Sequence, residues 1–397
     1  MGEAKTGAGA AEPGPVTAPD PVTAGRGPMM AESAAVTAGP GPVTAGPGGA
    51  GGGAEAAGRR PRLSDVAARA GVSSGLVSLV LRNQPGPSEQ TRVRVLETAR
   101  QLGYRADRTA SLLARRHSRH LGVLLDIRNT FHAELTADLD AAAARRGYDL
   151  LLSTVTSTRD ERRAAEVLLD FRCEALVLIG PDDPARQLNA LGQELPVVVI
   201  GRRVPAAAVD VVRAADDKGV AQAVGHLTSL GHRAIAFVDG GRGTIASDRR
   251  RGYRLAMRRH GLTGRVIPGD HTEEAGIRAA AALTEGGLPT AVIAFNDRSA
   301  VGLLDALARR GVTVPGSVSV VGYDDSMLAR LAHVDLTTVS QDAAGQAEQA
   351  VTLAVERLEN GRTVPREVVL TPALIVRNTT APPDREHEDL IELGQTT

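Results

Sequence analysis

Arginine is the residue type whose distribution in this chain points most directly to chemistry. Residues 59–120 contain 13 arginines and only 4 acidic residues, for a net charge of +9, whereas residues 1–58 and 121–397 carry net charges of −3 and −6. Positive charge concentrated on one short segment is typical of contact with nucleic-acid phosphates. We therefore expect residues 59–120 to bind DNA, and we expect the remainder of the chain not to do so by charge.

Sequence motifs of metal-dependent or nucleotide-dependent enzymes do not occur. His-Glu-x-x-His and Gly-x-x-x-x-Gly-Lys are absent, the 9 histidines are scattered, and Gly240-Gly241-Arg242-Gly243 fits a turn after a strand as well as a phosphate-binding loop. Cys173 is the single cysteine, and its apolar neighbours indicate a buried structural thiol. The sequence predicts neither an enzyme nor a metal or cofactor site.

Three short helices are predicted to carry the first part of the basic segment. Each starts at a serine that can cap it, namely Ser64, Ser73 or Ser88, and Gly71 can end the first helix in a left-handed conformation. A turn of only a few residues between the first two helices is the helix-turn-helix pattern. The residues predicted to face the core are Val66, Ala67, Ala70, Val77, Val80, Leu81, Val93, Leu96 and Ala99.

From residue 121 onward, short apolar runs alternate with amphipathic stretches. The runs lie at 121–125, 150–153, 175–179, 197–200, 209–212, 235–238, 291–295 and 318–322, and helical patterns lie at 131–146, 159–171, 218–230, 247–260 and 298–310. Apolar strands alternating with helices indicate parallel sheets covered on both faces. Because roughly 260 residues exceed one small sheet, we predict two doubly wound lobes with a ligand cleft at the carboxyl ends of their strands.

The two ends of the chain differ from this core in composition. Residues 1–58 are mainly Gly, Ala and Pro with a crude Pro-Val-Thr-Ala repeat, which offers too few large apolar side chains to fold. Neither a secretory leader nor a run of about 18 apolar residues is recognisable, so we expect a cytoplasmic protein without a membrane span. The acidic tail lacks heptads, which favours a dimer over a tetramer.

Several motifs occur together in the order and at the spacing of one known family. They lie at 63–73 (LSDVAARAGVS), 88–92 (SEQTR), 102–104 (LGY), 110–113 (ASLL), 247–253 (SDRRRGY), 294–297 (AFND) and 319–325 (SVVGYDD). The chain therefore resembles the lac and galactose repressor (LacI/GalR) family. The resemblance implies an N-terminal all-α helix-turn-helix domain plus an α/β two-lobed sensor like a periplasmic binding protein. It also implies a homodimeric repressor that binds a pseudo-palindromic DNA operator.

The resemblance divides the chain into five parts. These are an extension (1–58), a DNA-binding domain (59–107), a hinge helix (108–120), an effector-binding domain (121–380) and a flexible tail (381–397). Within the effector-binding domain, lobe one is expected to comprise residues 121–213 and 341–361, and lobe two residues 214–340 and 362–380.

The second helix of the DNA-binding domain would lie in the major groove. Ser74, Gly75 and Leu79 match the base-reading positions, where Leu79 can offer only apolar contact, for instance to a thymine methyl group. Leu76 stands where the family usually has a threonine that meets the DNA backbone. The other residues implied to contact DNA or to cap helices in this domain are Ser64, Ser73, Ser78 and Tyr104.

The hinge resembles a segment that becomes helical on the operator, where two copies enter the minor groove. Leu113 matches the leucine that wedges between the central base pairs. Arg108, Arg115 and Arg116 flank it and would neutralise phosphates, so binding should weaken steeply with salt. The alternative is that Leu113 packs internally within an arginine-rich linker.

The family's sensor cleft takes a small polar metabolite, most often a sugar or a nucleoside-like compound. Carboxylates, amides and a guanidinium can hold its hydroxyl groups. Arg202 would suit an acidic ligand, Asp297 could merely cap the following helix, and Phe131 could belong to the core. The residues assigned to the effector are Asp126, Phe131, Arg202, Arg249, Asn296, Asp297 and Asp324.

Two other functions are compatible with the predicted sensor fold. Doubly wound sheets often host enzymes, and two-lobed domains of this kind also bind solutes for transporters. The scarcity of catalytic motifs weighs against an enzyme. The basic segment 59–120 and the unrecognisable leader weigh against a solute-binding protein.

Overall fold

The computed structural model describes residues 61–104, 117–205 and 208–384. They form two compact units, the first ending at Tyr104 and the second comprising the chain beyond it. The predicted extension, most of the predicted hinge and the end of the tail lie outside the described residues.

The first unit consists of helices α1 (Leu63–Ala70), α2 (Ser74–Leu81) and α3 (Glu89–Gln101). Gly71 follows α1 with φ 67°, a left-handed conformation that glycine adopts without a Cβ clash. Ser73 and Ser88 accept the backbone N–H groups three residues ahead and so cap α2 and α3. The predicted helix-turn-helix arrangement and these two caps are confirmed.

Ser64 does not cap α1, contrary to the prediction. The N-cap is Arg62, whose backbone N–H donates to the Asp65 carboxylate at 2.7 Å. Ser64 therefore lies inside the helix, because the acidic side chain of Asp65 is the group that satisfies the exposed backbone N–H at this end.

The predicted inner face of α3 is also wrong in part. Val93 and Leu96 are 59% and 47% exposed, whereas Val95, Thr98 and Ala99 face the core. A polar threonine was not expected there. Its hydroxyl donates to the carbonyl of Arg94 at 2.8 Å, so Thr98 can be buried without an unsatisfied polar group.

Lobe one of the second unit is built on a six-stranded parallel sheet. Its strands are β1 (His120–Asp126), β2 (Asp149–Val155), β3 (Ala175–Ile179), β4 (Val197–Ile200), β5 (Asp210–Ala214) and β11 (Glu367–Leu370), in the order β2-β1-β3-β4-β5-β11. Its helices are α4 (Thr130–Arg145), α5 (Glu161–Asp170), α6 (Ala185–Glu194) and α11 (Ala343–Glu359). Helices α4 and α11 pack on one face of the sheet, and α5 and α6 on the other.

Lobe two repeats the same architecture. Its strands are β6 (Ile235–Val238), β7 (Arg265–Ile267), β8 (Ala291–Ile293), β9 (Ser319–Asp324), β10 (Thr337–Ser340) and β12 (Ala373–Ile375), in the order β7-β6-β8-β9-β10-β12. Its helices are α7 (Asp216–Ser229), α8 (Thr244–Arg259), α9 (Glu273–Glu285) and α10 (Asp297–Arg309). The two doubly wound lobes are confirmed, except that β12 runs antiparallel to β10 and so departs from a wholly parallel sheet.

The chain passes between the lobes three times. The crossings follow β5, β10 and β11, at Ala214–Asp216, Ser340–Ala343 and Leu370–Ala373. The third crossing lies later in the chain than the boundary predicted at residue 361, because β11 pairs with β5 and therefore extends lobe one to Leu370. The chain returns to lobe two at β12.

Cys173 lies in the core of lobe one beside Leu168 and Leu176, as predicted for a structural thiol. It is 7% exposed, and burial raises its pKa to about 12. No single helix among the described residues is long and apolar enough to span a membrane; only α1 and α2 taken together reach that length, and they meet at 105°.

Candidate DNA-reading surface and effector cleft

The second helix of the first unit presents a face of small side chains. Ser74 and Gly75 are exposed and Leu79 is half-buried, while Val77 and Val80 face the core. Apart from its chain neighbours and the backbone of its own helix, Gly75 has one heavy atom of the described residues within 4 Å of the position a Cβ would occupy, Oγ of Ser73 at 3.9 Å. The three residues predicted to read bases therefore lie together on one accessible face.

Ser73 is held within the protein by its capping role. Its Oγ accepts the N–H of Leu76 at 3.2 Å, which is the capping role predicted for it, while the predicted phosphate contact would use the hydroxyl proton that the cap leaves free. The stretch Gly71-Val72-Ser73-Ser74-Gly75 has the Gly-x-Ser-x-Gly spacing of a nucleophile elbow. It links two helices rather than a strand and a helix, and Ser73 has an ordinary extended backbone (φ −74°, ψ 152°), so it lacks the strained serine of such an elbow.

The other residues assigned to DNA have mixed positions. Leu76 and Ser78 are half-buried on α2, beside the face formed by Ser74, Gly75 and Leu79. Ser64 is exposed on α1, and Tyr104 packs against the core of the unit. The four hinge residues assigned to DNA lie outside the described residues; they are Arg108, Leu113, Arg115 and Arg116.

A cleft lies between the two lobes at the carboxyl ends of their strands. It contains about 460 Å³ of space outside protein atoms, part of it open to solvent. The lining residues are Asn129, Phe131, His132, Ile179, Gly180, Ile200, Gly201, Ile245, Arg249, His271, Phe295, Asn296, Asp324 and Gln341. Four of the seven predicted effector residues line it, namely Phe131, Arg249, Asn296 and Asp324.

Arg249 is buried on the lobe-two side of the cleft and is held in place on several sides. Its Nε donates to Asp216 at 2.8 Å and its Nη1 donates to the carbonyl of Phe295 at 2.6 Å. The guanidinium carbon lies 3.6 Å from the ring centre of Tyr323 and 4.7 Å from that of Phe295. Only the Nη2 edge is left for the cleft, where Asp324 lies 3.7 Å away.

Asp324 ends β9 and faces Arg249 across the cleft floor. Its Oδ1 accepts from Nε2 of Gln341 at 2.6 Å. Burial raises the pKa of Asp324 to about 8, an effect that the Arg249 charge opposes and the nearby carboxylate of Asp297 reinforces. Its φ is 122°, and such strained backbone is often found at ligand sites.

Asn296 and Asp297 are adjacent but point in different directions. Asn296 caps α10 by accepting the N–H of Ser299 at 2.9 Å and donates to the carbonyl of His271 at 3.1 Å. One amide proton and one oxygen lone pair remain for a ligand.

Asp297 does not line the cleft, contrary to its assignment. It is fully buried and accepts from the backbone N–H and hydroxyl of Ser326 at 2.7 and 2.9 Å, and from the hydroxyl of Thr338 at 2.6 Å. Its carboxylate thus ties the start of the β9–β10 loop to β10. The predicted alternative, a cap of α10, is also wrong, since Asn296 fills that role.

The lobe-one wall is mainly apolar. Phe131 is 8% exposed and serves both as a lining residue and as part of the lobe-one core, so both roles predicted for it are present. Asn129 caps α4 by accepting the N–H of Phe131 at 3.1 Å. His132 lies one residue further on, and its Nδ1 accepts the backbone N–H of Asp126 at 3.2 Å.

Asp126 and Arg202 were assigned to the effector but do not line the cleft. The Asp126 carboxylate accepts from the backbone N–H and the guanidinium of Arg128 at 3.0 and 3.3 Å. Arg202 turns away and donates from Nη1 to the carbonyl of Pro181 at 2.5 Å. Each side chain is thus directed to a local partner.

Several lining residues were not predicted. Gln341 follows β10, a strand whose sequence Thr-Thr-Val-Ser lacks the apolar run that marked the others. His271 lies in the loop before α9, a helix that was also not predicted. For His132 a signal existed, because it follows Phe131 in the first turn of the helix after β1. No group of three or more His, Cys, Asp or Glu side chains in the described part of the chain could hold a metal ion.

A second connection between the lobes lies beside the cleft. Glu134 on α4 accepts the backbone N–H of Met327 at 2.5 Å and forms an ion pair with Arg330, both in the β9–β10 loop of lobe two. Arg330 also donates to the carbonyl of Asp325 at the end of β9. We call these contacts of Glu134 with Met327 and Arg330 the interlobe clamp.

Two family models match this sequence. One, described as bacterial regulatory proteins of the lacI family, matches residues 62–107, and another, described as a periplasmic binding protein-like domain, matches residues 224–380. The HTH-type transcriptional regulator DegA of Bacillus subtilis is 30% identical over 328 residues, covering 80% of this chain and 97% of DegA.

Solved structures match in the same region. A lac repressor dimer bound to operator is 26% identical with a TM-score of 0.69, covering 81% of this chain and 100% of that one. A complex of the transcriptional regulator CelR with cellobiose is 29% identical with a TM-score of 0.61 and the same coverage of both chains. The similarity thus spans both units described above.

Proposed function

The chain belongs to the LacI family of bacterial regulatory proteins, and on this premise we propose that it is a repressor controlled by a small neutral effector. It would bind a pseudo-palindromic operator as a homodimer, in the bacterial cytoplasm, and without enzymatic activity. The observation that carries the proposal is the presence in one chain of a helix with an exposed face of small side chains and a cleft between two lobes with polar side chains on one wall.

On the DNA side, α2 would lie in the major groove. The small residues Ser74 and Gly75 would allow its backbone to approach the base edges, and Leu79 would favour a thymine methyl group. Such a helix offers few hydrogen bonds to bases. Much of the specificity would therefore come from the centre of the operator, where Leu113 of each subunit would enter the minor groove.

On the effector side, the electrostatics favour a neutral ligand over an anion. Among the described residues lining the cleft, Arg249 is the only side chain with a permanent positive charge, and Asp216 and Asp324 already face it. Arg249 already donates to Asp216 at 2.8 Å, so an anionic ligand would compete with that buried carboxylate for the guanidinium. Hydroxyl groups can instead donate to carboxylate oxygens and accept from the guanidinium.

Two further observations support a neutral, hydroxyl-rich effector. Arg202, the residue that would have suited an acidic ligand, turns to the carbonyl of Pro181. The related CelR has been solved as a complex with cellobiose, a neutral disaccharide. We therefore propose a neutral sugar as the effector of this protein.

Effector and operator would be coupled through the movement of the lobes. Gln341 lies in the second crossing segment and donates to Asp324 on the cleft floor. A ligand that contacts Asp324 would thereby act on a segment whose geometry differs between open and closed lobes. Its effect on operator binding would equal its difference in affinity for the two states and no more.

Selection of DNA ligands from a random pool tests whether the purified full-length protein recognises a specific DNA sequence. We expect enrichment of an inverted repeat. Leu113→Ala should lose base preference at the centre of the repeat, whereas the neighbouring Leu112→Ala is the matched control and should keep it. Absence of any enriched repeat, with and without added neutral sugars, would contradict the proposal.

Isothermal titration calorimetry with cellobiose, D-galactose and D-galactose 1-phosphate tests the effector class. We expect heat of binding from at least one neutral sugar, and loss of that binding in Arg249→Ala. The exposed Arg309→Ala is the matched control, since Arg309 lies outside the cleft lining and pairs with Asp305 on α10. Tighter binding of the phosphate than of either neutral sugar would contradict the assignment.

A further inference from the structure

The two walls of the cleft differ in chemistry. The lobe-two wall and the crossing segment contribute the polar side chains Arg249, His271, Asn296, Asp324 and Gln341. The lobe-one wall contributes mainly apolar side chains and two glycines, with His132 and Asn129 as its polar side chains. A ligand that fits both walls needs hydroxyl groups on one side and a less polar face with few polar atoms on the other.

The position of the proton on His132 follows from its surroundings. Nδ1 accepts the backbone N–H of Asp126, and a backbone N–H can only donate. The neutral ring therefore carries its proton on Nε2. Burial lowers the pKa of His132 to about 4; the charge of Asp126 opposes this effect, and His271 and Arg298 add to it, so the ring is uncharged at neutral pH.

The protonated edge of His132 faces the space left by Gly180. A Cβ on residue 180 would lie 3.4 Å from Nε2 and 3.5 Å from Cε1 of the imidazole. Gly180 also has φ 57°, which other residues rarely adopt. Within the described residues Nε2 has no hydrogen-bond acceptor, so glycine at this position leaves a donor accessible from the cleft.

Resting on the proposed function, we infer that His132 is a specificity-determining residue that donates from Nε2 to an acceptor oxygen of a neutral sugar. The ring or glycosidic oxygen of a sugar accepts but cannot donate, so it matches a donor whose direction and protonation are fixed. The sugar would then turn its less polar face to Phe131 and Ile179, and its hydroxyl groups to the lobe-two wall. His132 selects for the placement of that oxygen.

The inference is tested by two substitutions at position 132 in the full-length protein. His132→Phe keeps a ring of similar size without a donor, and His132→Gln restores a donor through its amide. For cellobiose or D-galactose, whichever binds, we expect His132→Phe to weaken binding by about 3- to 10-fold, the range for loss of one hydrogen bond. His132→Gln should recover most of the affinity, and the exposed His260→Phe should change nothing.

Nitrogen-15 NMR of histidine-labelled protein provides the second readout, with His132→Gln used to assign the signals. We expect a neutral His132 protonated at Nε2 throughout pH 6–8. A ring protonated at Nδ1, or His132→Phe binding the sugar as tightly as the unmodified protein, would overturn this inference alone. If neither sugar binds the unmodified protein, the effector class of the proposed function fails, and the inference fails with it.

Discussion

Three carboxylates are buried around the lobe-two side of the cleft, and their protonation is set by their surroundings. Burial raises the pKa of Asp216, of Asp297 to about 6 and of Asp324 to about 8. Arg249 stabilises the charged forms of Asp216 and Asp324, while Asp297 depends on the hydroxyls of Ser326 and Thr338. The folded state therefore binds protons more strongly at these sites than the unfolded chain does.

This difference predicts how stability depends on pH. Because the folded-state pKa of Asp324 lies above the unfolded value, the free energy of unfolding should fall as pH rises from about 4 to about 8. Asp324→Asn keeps an acceptor for Gln341 but cannot titrate. Its unfolding free energy should therefore fall less steeply over this interval, by up to ~1.4 kcal/mol per pH unit for one proton.

Urea denaturation at a series of pH values measures this slope. The matched control is Asp305→Asn, because Asp305 is exposed on α10 and has only the ion pair with Arg309. If the unmodified chain and Asp324→Asn show parallel pH profiles, the proposed protonation of Asp324 in the folded state is wrong.

At the scale of single elements, the reading helix is short and depends on its cap. α2 has 8 residues, and Ser73 satisfies the Leu76 N–H at its start. Ser73→Ala should destabilise the first unit by about 1 kcal/mol, the usual effect of losing a serine cap. Ser64→Ala should have little effect, because Ser64 lies inside α1 and does not cap it.

Thermal unfolding of the two variants, followed by circular dichroism in the full-length chain, compares these serines directly. The transition of the first unit should shift down in Ser73→Ala only. Equal shifts in both variants would show that the capping assignment is wrong.

The elements that could be predicted from the sequence are those with a continuous apolar run. β3 (Ala-Leu-Val-Leu-Ile) and β4 (Val-Val-Val-Ile) are fully buried and were placed at their observed bounds. β10 has the sequence Thr-Thr-Val-Ser, and its buried hydroxyls are satisfied by specific partners, as Thr338 is by Asp297. Hydropathy cannot register a strand of this kind, because its burial depends on hydrogen bonds made by distant residues.

The same limit applies to the candidate site. Arg249 and Asp324 could be assigned because they lie within motifs that resemble the family's. Gln341 could not, since it follows the unpredicted β10, and Arg202 was assigned wrongly because the direction of a side chain after a strand is set by local partners such as the Pro181 carbonyl. Position along the chain predicts which loop borders the cleft, and it does not predict which side chains face it.

At the scale of the whole molecule, the sensor lobes are joined by three crossings and by the interlobe clamp. The clamp lies beside the cleft, because Glu134 follows the lining residues Phe131 and His132 while Met327 follows Asp324. Its ion pair is half-exposed, with side-chain exposures of 47% for Arg330 and 26% for Glu134. We therefore expect a modest contribution to closure.

Removal of the clamp should favour the open lobes. Arg330→Gln should lower the population of the closed form by about 2- to 5-fold, as expected for a partly exposed ion pair. Hydrogen–deuterium exchange should then be faster at Asn129–Glu134 and Asp325–Arg330. Arg309→Gln removes an exposed ion pair within one helix and serves as the control. Unchanged exchange at both segments in Arg330→Gln would argue against a role of the clamp in closure.

Under the proposed function, the two units of this LacI-family regulator would separate two tasks, DNA reading by α2 and ligand binding by the cleft. The proposed function requires that ligand binding in the cleft and operator binding are coupled. Occupation of the cleft must change operator affinity through Asp324, Gln341 and the crossing segments rather than through charge alone. A coupling of this type is usually worth about 5- to 150-fold in affinity.

The most direct test is the affinity of the full-length protein for its selected operator, measured by fluorescence anisotropy with and without the neutral sugar that binds in calorimetry. We expect a shift within that range in the unmodified protein. In Asp324→Ala the operator affinity without sugar should be retained, and the shift should be lost. A sugar that binds in calorimetry but leaves operator affinity unchanged, or that shifts it equally in Asp324→Ala, would contradict the account.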